Sequence, residues 1–88
     1  MKKIDFKNVE IYTDIQHKEK IIADMHIDFS NIIYQRGSGI QAHALAMKIY
    51  NATEPQEYSE DECKLIMDYA NLCNPFFIDA IKTILETE

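Results

Sequence analysis

An α+β fold, mostly α, with an N-terminal β-hairpin packed on a small bundle of about four helices, is predicted by three features of the 88-residue chain. Apolar residues alternate with a period of two in the first dozen residues and recur with helical spacing after residue 24. Ser38 followed by Gln41, and Ser59 followed by Glu62, have the spacing of helix-starting capping boxes. Only two Gly and two Pro interrupt a chain that is 47% hydrophobic, which argues for helix and against disorder. The alternative is an all-α bundle in which a helix begins near Thr13 or Asp14.

In chain order, residues Lys2 to Ile15 carry Ile4 and Phe6, then Val9 and Ile11, with a turn or bulge at Lys7-Asn8; this period of two predicts strand. Gln16 to Glu19 is a polar interruption, and residues 20–24 (KIIAD) pair back as the second arm of the hairpin. The rival helix start rests on Ile15, Ile22, Met25, Phe29 and Ile32, which fall roughly on helical spacing. Asp24 suits an N-cap. Met25, Phe29, Ile32 and Ile33 then form one stripe of a helix ending at Arg36, with Gly37 as its stop signal.

Around the next stretch, Arg36 to Asn51, the rest of the chain is organised. Ile40, Ala42, Ala44, Leu45, Ala46, Met47, Ile49 and Tyr50 cover nearly the whole circumference, leaving Gln41, His43 and Lys48 polar. A helix apolar almost all round is expected to be surrounded, either by the other segments or by a second copy of the chain.

Asn51 to Tyr58 (NATEPQEY) reads as a loop, because Pro55 removes a donor and restrains Glu54. Ser59 and Glu62 then open a helix whose first turn is acidic, as the positive end of the helix dipole favours. One of its faces carries Cys63, Ile66, Met67, Ala70 and Cys73, and a second stripe carries Leu65, Tyr69 and Leu72, so two packing partners are expected. Asn74 as N-cap and Pro75 at the first helical position start the last helix. It presents Phe77, Ile81, Ile84 and Leu85, flanked by Phe76 and Ile78, and frays at Thr87 and Glu88.

A single domain spans residues 1–88, in the size range where only about 60 to 65% of the unfolded surface is removed from water. Self-association would therefore help. The net charge of −6 disfavours nucleic acid as a partner, since Lys and Arg supply most non-specific affinity for phosphate. The N-terminus has two lysines but no continuous apolar run after them, and nothing approaches the ~20 apolar residues of a membrane span, so no secretory signal and no membrane partner are expected and the cytoplasm is the default location. Cys63 and Cys73, ten residues apart, would lie about 15 Å apart along one helix. That is too far for a bridge, and both read as small buried apolar residues.

No reactive set emerges. His17, His26 and His43 fall in different elements, and none has a partner at a recognised ligand spacing. Residues 57–62 (EYSEDE) lack the alternating oxygens and central Gly of an EF-hand. Residues 37–39 (GSG) lack the further Gly and Lys of a phosphate loop. No enzyme activity and no cofactor is expected; a metal or thiol enzyme using His43 or Cys63 is the least supported reading. Among the tyrosines, Tyr34 and Tyr50 each follow Ile near the C-terminal ends of consecutive helices. They read either as rings on the core edge or, since Tyr is enriched at interfaces, as anchors. With the second stripe of the third helix they make the candidate interface: Tyr34, Tyr50, Leu65, Tyr69 and Leu72.

The order DFSNIIYQRGSGIQAHALAMKIYN, then YSEDE, then NPFFIDAI resembles a group of short proteins encoded in bacterial prophages and related mobile elements. The resemblance covers about residues 9–85 and rests on Asn31-Ile32-Ile33-Tyr34, on Ala44 to Tyr50 and on Ser59 to Glu62. It implies a small cytoplasmic protein in a virion-assembly or host-interaction context, with no site residue to carry over. The expected function is a small acidic, non-catalytic protein-protein interaction module that forms a homodimer and binds a protein partner whose identity the residues do not give. The alternative is a DNA-binding regulator with a helix-turn-helix-like element at residues 25–50, whose exposed polar face would offer only Gln41, His43 and Lys48.

Overall fold

The computed structural model describes residues 2–86; the fraying expected at Thr87 and Glu88 lies outside them. The described elements run β1 (Lys2–Ile4), β2 (Val9–Tyr12), β3 (Lys20–Ala23), α1 (His26–Arg36), α2 (Gly39–Asn51), β4 (Gln56–Tyr58), α3 (Glu60–Ala70) and α4 (Pro75–Glu86). The fold is α+β and mostly α, with the β2–β3 hairpin packed on α4.

The N-terminal alternation is real but belongs to two strands with different partners. Asp5 breaks it: its carboxylate accepts from the Lys7 amide (3.0 Å) and the Asn8 side-chain amide (2.8 Å), and its carbonyl accepts from the Asn8 amide. Asp favours such turns because its short side chain reaches its own backbone. Beyond the turn, Val9 and Ile11 are buried while Glu10 and Tyr12 face out. β2 pairs antiparallel with β3 in the register Val9↔Ala23 to Tyr12↔Lys20. The expected hairpin forms, and no helix starts near Thr13. Instead Asp14 organises the connecting loop, its carboxylate accepting from the Lys18 and Glu19 amides, with His17 at φ 57° in the left-handed region.

β1 turns away to pair antiparallel with β4, Lys2↔Tyr58 to Ile4↔Gln56. This corrects the reading of residues 51–58 as loop: only its first half is irregular. Pro55 sits just before the strand, where a missing amide is harmless, and Tyr58 is fully buried against Phe6.

Helix α1 starts one residue later than expected. Met25, not Asp24, occupies the N-cap position, and the Asp24 carboxylate accepts from the His26 amide and contacts the His26 ring. The Met25 amide is already committed to the Phe6 carbonyl (2.7 Å), which fixes where the helical turn begins. Between α1 and α2 the two glycines have different duties. Gly37 is extended (φ −75°, ψ 161°), so backbone freedom does not explain it. A Cβ there would stand 2.5 Å from the Ile33 carbonyl oxygen and 2.7 Å from the Ala42 Cβ. Gly39 has open space around it but φ +84°. That left-handed residue opens α2. Ser38 holds the N-cap position without any side-chain cap bond, and the expected Ser38–Gln41 box does not form.

Helix α2 is not enclosed within the monomer. Ala42, Leu45, Ala46 and Ile49 are buried, whereas Ile40, His43, Ala44, Met47 and Tyr50 are exposed. Its apolar residues fall into an inward stripe and a bare one. At Ser59 the capping box is complete: the hydroxyl accepts from the Glu62 amide (3.1 Å) and Glu62 accepts from the Ser59 amide (2.9 Å). α3 ends at Ala70, so Cys63 and Cys73 do not share a helix. The Cys73 amide closes a short turn onto the Ala70 carbonyl, and both thiols are free and half-buried. Asn74 and Pro75 then start α4 as expected, the Asn74 carbonyl accepting from the Phe77 and Ile78 amides; Phe77, Ala80 and Ile81 are buried.

The glycines give a paired test by urea denaturation. Gly37→Ala should cost ~1–3 kcal/mol through overpacking, and Gly37→Asn no less. Gly39→Ala should cost ~1–2 kcal/mol through its backbone, and Gly39→Asn should recover part of that. A smaller cost for Asn than for Ala at Gly37 would contradict the first assignment, and equal costs for Ala and Asn at Gly39 the second.

Candidate interaction surface

Helices α1 and α2 fold against each other across the Gly37–Ser38 link. Their outward positions repeat at seven residues, two turns of helix, which keeps side chains on one face: Ile27 and Tyr34 on α1, Ile40 and Met47 on α2, and Tyr50 beside Met47. All five are exposed, Ile40 the most at 84%. Tyr34 and His43 face one another at 5.8 Å between ring centroids, tilted by 49°, so the two stripes adjoin. An apolar strip of this kind on a small domain marks a contact surface more often than an accident of composition.

Of the five residues expected at an interface, Tyr34 and Tyr50 lie on this face, 61% and 50% exposed. Leu72 is exposed as well, but in the turn after α3, apart from these helices. Leu65 and Tyr69 are half-buried against the core. The Tyr69 hydroxyl lies 3.0 Å from where a Cβ on Gly37 would be, so it packs α3 onto the α1–α2 link. Ile27, Ile40 and Met47 were not singled out by sequence. Their seven-residue spacing was visible, yet the apolar circumference of α2 read as burial and hid it.

The polar groups make a brace. From α2, the Lys48 ammonium donates to the Glu57 carbonyl (2.7 Å) and to both Glu62 carboxylate oxygens (3.1 and 3.2 Å), and it stands 4.5 Å above the centre of the Tyr58 ring. Burial pushes the Glu62 carboxyl up, but the Ser59 amide and Lys48 outweigh it and hold the group below its ordinary value. The Tyr58 hydroxyl is buried and has no hydrogen-bond partner among the described residues. Burial, with smaller contributions from Glu62 and Asp5, raises its pKa to about 12.

Other reactive types stand apart. His17 stacks on Tyr12, His26 contacts Asp24, and His43 meets Tyr34. No group of three or more His, Cys, Asp or Glu among the described residues is arranged to hold a metal. Burial raises the thiol of Cys73, and burial followed by the Glu62 charge raises that of Cys63. Both are protonated at neutral pH, the unreactive state of a thiol. No helix among the described residues is long and apolar enough to cross a membrane.

Tyr58→Phe keeps the ring under Lys48 and removes only the unpartnered hydroxyl, so it should raise stability by about 1 kcal/mol. It should also change the alkaline limb. A phenol whose folded pKa exceeds its unfolded value leaves stability independent of pH below about pH 10, and stability then falls as pH rises toward 12, because only the unfolded chain ionises in that window. Chemical denaturation across pH 9–12 should show a shallower loss for the Phe variant; parallel curves would refute the burial assignment.

No protein-family model, no curated protein and no solved structure matches this chain. The resemblance to prophage-encoded proteins therefore stands on the residues quoted for it alone.

Proposed function

We propose that the protein is a small, non-catalytic interaction module of the cytoplasm that self-associates as a homodimer through the outer face of α1 and α2. The observation that carries this reading is the bare stripe Ile27, Tyr34, Ile40, Met47 and Tyr50. Its seven-residue repeat is the spacing with which helices pack side by side, and a two-fold axis across it would set each copy's stripe against the other's. A chain of this size gains from covering such a face, because its own core buries a limited share of its surface. In the prophage setting that the sequence resemblance suggests, such a dimer would serve assembly or contact with a host protein.

The alternative, a DNA-binding regulator using residues 25–50, draws support from the α1–α2 arrangement but little from its side chains. Lys48 is spent on Glu57 and Glu62, which leaves Gln41, His43 and the terminal Asn51 as the exposed polar side chains of α2, in a chain of net charge −6.

Light scattering at micromolar concentration should give twice the 10.3 kDa chain mass. Ile40→Glu combined with Met47→Glu should give a folded monomer, since both positions are exposed in the single chain. A wild-type monomer at that concentration, or a dimer indifferent to both substitutions, would rule out this surface.

A further inference from the structure

Between the β1–β2 turn, the loop end of the β2–β3 hairpin and α4 lies an open groove of about 700 Å³. Sites for small molecules or a few peptide side chains span roughly 300–1,000 Å³. The groove shares no lining residue with the α1–α2 face, so it goes beyond the dimer proposal and stands or falls separately.

Its apolar part is large for an exposed region. Tyr12 is 37%, Phe76 43% and Ile15 99% exposed, and all three line the groove. Tyr12 stacks flat on His17, ring centroids 4.3 Å apart and planes within 3°, which holds the phenol ring as a fixed wall. Around this apolar part are four carboxylates, Asp5, Glu10, Asp14 and Asp79, against the single lysine Lys3. Asp5 and Asp14 each use oxygens to hold turn amides. Glu10 meets Lys20 at 3.3 Å with both side chains well exposed, a pairing worth little in water. Asp79 has no ion-pair partner among the described residues.

We propose that this groove docks a basic segment of another protein, with Arg or Lys side chains on the four carboxylates and an apolar side chain against Tyr12 and Phe76. Charge decides the occupant. Four carboxylates repel phosphate and acidic peptides, and a polyvalent cation without apolar groups leaves Tyr12, Ile15 and Phe76 in water. Guanidinium groups satisfy both demands, because they bind carboxylates through paired donors and lie against aromatic rings.

The test is titration of the isotope-labelled protein with an acetylated, amidated pentapeptide of alternating arginine and leucine, followed by amide chemical shifts. The expected result is saturable binding, with shifts confined to β1, the β1–β2 turn, β2, the hairpin loop and α4, weakening as salt screens the carboxylates. Asp79→Lys should weaken binding at least about tenfold, and Glu10→Gln, which removes one charge without reversing it, should weaken it severalfold; the thermal melt of each variant should match that of the wild type. The proposal is overturned by no saturation at millimolar peptide, by shifts centred on Glu60 and Asp61 of α3, by unchanged affinity in Asp79→Lys, or by equally tight binding of spermidine in the same groove.

Discussion

Four rings from four different segments touch in series: Tyr58 meets Phe6 edge-on at 5.7 Å, Phe6 stacks on Phe29 at 5.4 Å, and Phe29 tilts onto Phe77 at 5.1 Å. All four are buried. Phe6 is the hub, since it sits in the turn between two strands that leave for different partners. Its backbone carbonyl also receives the Met25 amide at the entrance to α1. Aromatic contacts of this kind add about 0.5–1.5 kcal/mol each beyond the area they bury. More importantly, they make β1–β4, the hairpin, α1 and α4 answerable to one another. Lys48 then covers the outer ring of the series and ties α2 and the start of α3 to it.

This arrangement explains why the domain faces outward as it does. Each helix spends one stripe on the shared ring cluster or its aliphatic surroundings, and a chain this short has no further layer to cover the other side. Most of the exposed apolar residues are grouped, on the α1–α2 face and along the groove beside α4, with Ile21, Ile22 and Leu72 outside both, and the two groups differ in character. The first has little charge around it and suits a like surface. The second is framed by carboxylates and suits an unlike one.

Where a signal was local, the sequence carried it. The alternation at Val9 and Ile11, the Ser59–Glu62 box and the Asn74-Pro75 start all depend on residues within one turn or one strand, and each is found where expected. What escaped depends on distant partners. β4 is three residues of ordinary polar composition ending in Tyr58, and only the presence of β1 across from it makes it a strand. The Ser38 box is the local exception: Gly39 beside it takes a positive φ, and no cap bond forms. Gly37 was legible as a stop but not as a point of contact with Ala42. Tyr34 and Tyr50 were identified by residue type, whereas Ile27, Ile40 and Met47 required knowing which side of α2 the core takes. The groove was invisible, being assembled from the β1–β2 turn, the hairpin loop and α4.

The pairing of Lys2 with Tyr58 also sets an order in which the contacts of the domain can close. The hairpin and the α1–α2 pair can close from neighbouring residues, but β1 has no strand to pair with until β4, on the far side of the hairpin, α1 and α2, is at hand. Its arrival with β4 brings Tyr58 onto Phe6, a long-range closure of the sort that is slow to form. A chain in which β4 has not yet docked leaves β1 without its ladder and Phe6 without the Tyr58 ring, the kind of open strand edge and bare apolar surface through which partly folded chains meet chaperones or one another.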